Sequence, residues 1–137
     1  ISPTASSTSV GSFNTTTTQT AIASLSFTVP TGYTRAVMFG VGSTTTTNFS
    51  GAYRYLLSRV ILASSSGPEQ TVFIQDFNTS PYADTVGTVS ASHAFIATGL
   101  TGGWTVSASL TTRSSAGTFG TNAINQATLV CSVLFLK

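Results

Sequence analysis

The chain has 137 residues, of which 41% are hydrophobic and only 6% charged, which excludes a disordered polar tract and suits one domain with a sizeable core. Its net charge of +2 rests on Arg35, Arg54, Arg59, Arg113 and Lys137, with no run or cluster. Nucleic-acid binding by counterion release needs several phosphate contacts on one surface, so this scatter argues against it. Hydroxyls replace the missing charge, Ser and Thr making up about a third of the chain. Thr favours strands through its branched Cβ, and helix formers are scarce, with one Glu, one Lys and one Met. An all-β fold is the first expectation. The single cysteine, Cys131, excludes an intrachain disulfide.

Residues 1–20 are Ser/Thr-rich and carry the tract Thr15-Thr16-Thr17-Thr18. They read as a flexible arm or as a donor strand that pairs with a neighbouring subunit. The first residue, Ile1, is not Met, which suggests a processed or trimmed chain. From Ala21 to Val29 apolar residues alternate with Ser and Thr, as in a half-buried antiparallel strand, and Pro30-Thr31-Gly32 makes a turn. Arg35 to Val41 is apolar on both faces, as in a central strand, and Gly42 to Gly51 reads as a loop. Tyr53 to Leu62 and Thr71 to Phe77 follow as strands, then a loop from Asn78 to Asp84. Thr85 to Thr98 suits one bent strand or two short ones around Ser92. After a turn at Gly99 to Gly103, the face Trp104, Val106, Ala108, Leu110 alternates cleanly with Thr and Ser, and predicts core.

The last strand, Ile124 to Leu136, carries a run from Leu129 to Leu136 that only Ser132 interrupts. Eight residues are too few to span a membrane as a helix. An apolar run of this length predicts a strand covered on both faces, in the middle of a sandwich or of an interface. Its odd residues are expected to fill the core, with Cys131 as a small buried hydrophobe. Its even residues, Val130, Leu134 and Leu136, are expected to meet a partner subunit. Together these segments predict an antiparallel β-sandwich, jelly-roll-like, with roughly seven to nine strands and no significant helix. Residues 1–20 form the arm and residues 21–137 a single domain.

The ionisable groups are few: Glu69, Asp76, Asp84 and His93 beside the five cations. No G-x-S-x-G elbow is present, and Asp84 and His93 would face opposite sides of one regular strand. No catalytic residue, cofactor site or metal site is therefore expected. Asp76-Phe77-Asn78-Thr79-Ser80 opens like a calcium loop, but Pro81 and Gly87 stand where Gly and Glu are required. A looser oxygen site from Asp76, Asn78 and Asp84 is the residual alternative. Tyr82 and Trp104 are the candidate rings for stacking on a sugar, and Tyr53 and Tyr55 would share one face as interface or sheet packing. Asn14, Asn48 and Asn78 head N-x-Ser/Thr triplets, which arise by chance in such a composition and otherwise mark glycosylation in expected loops or exposed strand ends.

The segment Gly99-Leu100-Thr101-Gly102-Gly103-Trp104-Thr105-Val106, with Ala127-Thr128-Leu129 and the apolar end, resembles the closing hairpin of C1q/TNF-like jelly rolls and of phage tail-fibre heads. That resemblance covers roughly the last forty residues and implies a trimer with receptor-facing loops. The Thr-rich arm instead resembles donor-strand subunits of extracellular filaments. The functional expectation is a non-enzymatic, self-assembling structural protein of a filament, pilus or virion fibre, outside a cell or on a virion, with no membrane insertion. The alternative is a carbohydrate- or receptor-binding module.

Overall fold

Alternating burial marks the strands. Between Gln126 and Leu136 the odd residues Ala127, Leu129, Cys131, Val133 and Phe135 are buried, while Gln126, Thr128, Val130 and Ser132 are exposed. Between Thr20 and Thr28, Ala23 and Phe27 are buried, with Ser24, Ser26 and Thr28 exposed. Period two is what a pleated strand with one face on a core produces. The structure, a computed structural model, describes residues 2–11, 18–46, 56–64, 73–79, 87–114 and 126–137.

These residues form eight strands: β1 (Ser2–Gly11), β2 (Thr20–Thr28), β3 (Arg35–Thr46), β4 (Leu56–Ser64), β5 (Phe73–Thr79), β6 (Gly87–Ala97), β7 (Thr105–Ser114) and β8 (Gln126–Leu136). They build two four-stranded antiparallel sheets, ordered β1-β8-β3-β6 and β2-β7-β4-β5. Every consecutive pair of strands except β4–β5 passes from one sheet to the other, so the expected antiparallel sandwich is wound as a jelly roll. Among the described residues there is no helix.

The core lies between the sheets. Ala36, Met38, Leu129, Cys131, Val133 and Phe135 come from one sheet; Phe27, Val60, Leu62, Val106, Ala108 and Leu110 come from the other. On β3 the inward positions between Met38 and Thr44 are glycines, and the facing side chains fill the space that a side chain would occupy. A Cβ on Gly40 would lie 2.9 Å from Leu62 Cδ2, and one on Gly42 would lie 2.8 Å from Leu110 Cδ1. Small residues opposite large ones let the sheets interdigitate at interior density. Toward the ends of β3 and β7 the core turns polar: Thr44, Ser58 and Thr112 are buried, and Ser58 Oγ lies 3.3 Å from Thr44 Oγ1.

Three expectations are corrected and one is narrowed to a single reading. The loop read from Gly42 to Gly51 begins too early, because β3 continues to Thr46 in unbroken register with β6. Gly42 there is a packing position, not a breaker. The segment Thr85 to Thr98 contains one strand, β6, with no register shift at Ser92. Asn78 is not in a loop, since β5 runs to Thr79 and pairs Asn78 with Leu57. The segment read as an arm contributes β1, which pairs with β8 of its own chain along its whole length. Backbone hydrogen bonds secure such a strand even where its side chains bury little.

At one end of the sandwich two tight turns close against each other. Tyr33 N–H donates to Pro30 O at 3.2 Å, with Gly32 at φ +85°; Trp104 N–H donates to Thr101 O at 3.0 Å, with Gly103 at φ +89°. Both are turns whose third residue needs positive φ, and glycine supplies it. Gly102 rests on the backbone of the other turn, so that a Cβ there would lie 2.8 Å from Thr31 Cα. The partly buried Trp104 packs on the core at this turn, as its apolar face predicts.

Candidate interaction face

On the even side of β8, Thr128, Val130 and Ser132 stand exposed, with Leu134 and Leu136 half-buried. Strand pairing aligns this side with the outer side of β1, β3 and β6. Register places Pro3, Leu134, Val37 and Ile96 in one row, and Ala5, Ser132, Phe39 and Ala94 in the next. Ser7, Val130, Val41 and Ser92 form a third row, and Ser9, Thr128, Ser43 and Ser90 a fourth. Cross-strand neighbours of this kind stand roughly 5 Å apart, so the three apolar-containing rows merge into one patch.

Exposure sets this face apart. Phe39 is 50% exposed, Ile96 64%, Val130 40% and Val41 37%. Among the described residues, every large hydrophobic side chain that stands exposed lies here. A shallow groove of about 500 Å³ follows the β1–β8–β3 side, lined by Pro3, Thr4, Ala5, Val37, Phe39, Ser132, Val133 and Leu134. The outer side of the other sheet is different in kind: Ser24 and Ser26 are exposed, Ser107, Ser109, Arg59, Ile61 and Ala63 are half-buried, and Thr111, which accepts a hydrogen bond from Gln19, is buried. One face of the sandwich is hydroxylated and the other apolar. A contiguous exposed apolar patch marks an interaction site more often than an accident of surface composition.

No charged residue stands within the four rows. Arg35 lies beside Leu136 at their end and donates to the carbonyl oxygen of Lys137. The Lys137 ammonium lies 5.8 Å from the centroid of the Tyr33 ring, a cation–π distance. The cations therefore rim the apolar patch instead of interrupting it.

The structure distributes the sequence-derived candidates unevenly. It brings Val130, Leu134 and Leu136 onto this one face, with Val130 exposed and the two leucines half-buried against neighbouring strands. Tyr53, Tyr55, Tyr82, Asn14, Asn48 and Asp84 lie outside the described residues. Trp104 immediately precedes β7, at the end of the sandwich opposite to Thr79 of β5 and Gly87 of β6. Asp76 and Asn78 fall in β5, opposite Arg59 and Leu57. His93 is half-buried, opposite Gly40 on the inner side of β6. Among the described residues no three His, Cys, Asp or Glu gather as a metal site, and no helix is long and apolar enough to cross a membrane. Cys131 is fully buried, and burial pushes its thiol up to about 11.

Sequence reading missed Phe39, Val41 and Ile96. For Phe39 and Val41 the signal is the run Arg35 to Val41, apolar on both faces: its inner face fills the core, and its outer face stands exposed among the described residues.

No family model matches the sequence, and no curated protein matches it. Among solved structures, a chain from the structure of infectious bursal disease virus, Gx strain, matches with a TM-score of 0.54 at 11% identity. The match covers 96% of this chain and 36% of the virus chain, so this sandwich spans about a third of that longer chain. A chain from the Gt strain, covered over 40% of its length by 98% of this one at 11% identity, gives a TM-score of 0.24, too low to indicate a shared fold. The Gx likeness is one of fold, and it does not extend to the C1q/TNF-like or donor-strand resemblances.

Proposed function

We propose that this chain is a non-enzymatic structural subunit of virion type, whose copies associate through the apolar outer face of the β1-β8-β3-β6 sheet. The observation that carries this reading is the contrast between the two outer faces, one apolar around Phe39, Val41, Val130 and Ile96, the other hydroxylated. A sandwich that stayed alone would gain nothing from leaving four large hydrophobic side chains on one side, and burying each removes apolar area worth about 25 cal/mol per Å². The scarcity of charge, 6% of residues, leaves little repulsion between closely packed copies. The likeness in fold to a chain of a virus structure supports the virion setting. A filament or fibre subunit outside a cell is the other setting consistent with the same contact.

Sedimentation velocity over rising protein concentration tests the proposal. Association that grows with concentration, and that a Leu134→Asp variant loses while keeping its far-ultraviolet circular dichroism, is the expected result. A sharp monomer boundary at every concentration overturns it.

A further inference from the structure

The edge strands differ in how firmly the core holds them. β2 buries Ala23 and Phe27, and β6 buries Ala97. In β1 no side chain from Ser2 to Ser9 is buried: Ser2 and Thr8 are half-buried and the other six are exposed. Thr4 and Ser6 stand exposed although their partners on β8, Val133 and Cys131, are buried in the core. β1 is therefore held chiefly by its backbone ladder with β8. We propose that β1 is an exchangeable clasp: it lifts from the edge of β8, and the edge it leaves accepts the β1 of a second copy. This contact is separate from the apolar outer face and does not use it.

Ladder hydrogen bonds and the entropy of ordering ten residues are of similar size and opposite sign. A strand that adds no buried side chain is then the least secured part of a fold. Lifting it leaves the core closed, since none of the described core residues belongs to β1 and β8 keeps β3 on its other side. It also bares a row of N–H and C=O groups on β8, an open edge that an extended segment satisfies. Register sets the occupant. Ten consecutive pairs, from Ser2 with Phe135 to Gly11 with Gln126, show that this sequence fits this edge without a shift. A second copy's β1 makes the same ten pairs. Nothing in Ser2 to Gly11 is charged, so like charges do not oppose the trade.

On its own chain β1 competes for the edge at an effective concentration of about millimolar order, so closed subunits dominate a dilute solution and exchange there is rare. Copies packed side by side in an assembly supply a comparable local concentration. Exchange then ties neighbours together through main-chain hydrogen bonds.

Single cysteines test the trade, in chains that all carry Phe39→Asp so that the apolar face takes no part. Ser7 and Val130 are Cα partners across β1 and β8, and both are exposed. Paired strand residues lie within the span that a disulfide bridges. With Ser7→Cys and Val130→Cys in one chain, oxidised glutathione should close the 7–130 bond within that chain. With the two substitutions on separate chains, a 7–130 bond should form between chains, identified by mass spectrometry. It should form several-fold faster than the 7–26 bond in a mixture of Ser7→Cys with Ser26→Cys, whose thiol is also exposed but lies on the other sheet. Equal rates in the two mixtures overturn the exchange and leave the apolar face untouched. So does the absence of a 7–130 bond between chains when the doubly substituted chain closes. Failure of that chain to close overturns it too, because β1 is then not seated on β8 in this register.

Discussion

Replacing Phe135 by alanine should cost about 3–5 kcal/mol of folding stability, the range for removing a large enclosed aromatic side chain. Phe135 sits near the end of β8, 2% exposed, between Ser2 on β1 and Ala36 on β3. Its ring meets Tyr33 edge to face, with centroids 6.5 Å apart and planes at 71°. The loss therefore combines transfer of a large apolar group, the cavity left behind, and one aromatic contact of about 0.5–1.5 kcal/mol. The neighbours cannot easily collapse into the space, because the strands on both sides are held by continuous ladders. For a domain of this size the melting temperature should fall by roughly 10–20 °C. Scanning calorimetry of the variant measures it. A fall of only a degree or two would mean that Phe135 is not enclosed as described.

Gly102→Ala should produce the second large loss, from the opposite cause. No cavity forms; instead the new methyl would stand 2.8 Å from Thr31 Cα and 3.2 Å from Thr31 N. These are backbone atoms, which cannot turn away as a side chain can. Relief requires the turn at residues 101–104 to move off the turn at residues 30–33. Both turns hold strand ends: Val29 N–H donates to Trp104 O at 2.7 Å, and Gly103 N–H to Val29 O at 2.9 Å. Overpacking of this kind costs about 1–3 kcal/mol, against about 0.4–1 kcal/mol gained by restricting the unfolded chain. A chemical denaturation midpoint below wild type, with an unchanged slope, is the expected signature. A stabilised variant would show that the turns are not in contact.

The sequence made the sandwich legible because local alternation records burial directly. Ala127 to Phe135 and Val106 to Leu110 could be assigned to the core from period two alone. The length and apolar content of β8 read as cover on both faces; its place between β1 and β3 was not legible, and its even face stands partly exposed. The extent of β3 was less legible, since a glycine followed by hydroxyls reads as a loop unless Leu110 and Val60 are known to stand over it. Residues 2–11 were equally obscure, because the pairing of Ser2–Gly11 with β8 is a matter of backbone hydrogen bonds that Ser and Thr side chains do not announce. Val130, Leu134 and Leu136 could be proposed from β8 alone. Joining them to Phe39, Val41 and Ile96 needed the register of strands nearly a hundred residues apart in the chain, and no local pattern carries that.

The most direct test of the apolar face sets Phe39→Asp beside Ser26→Asp, which puts the same charge on the hydroxylated face. Both positions are exposed, so both variants should fold. In sedimentation equilibrium over a wide concentration range, Ser26→Asp should associate like the wild type, and Phe39→Asp should remain monomeric throughout. Association of Phe39→Asp at wild-type strength would contradict the assignment of the interface to this sheet.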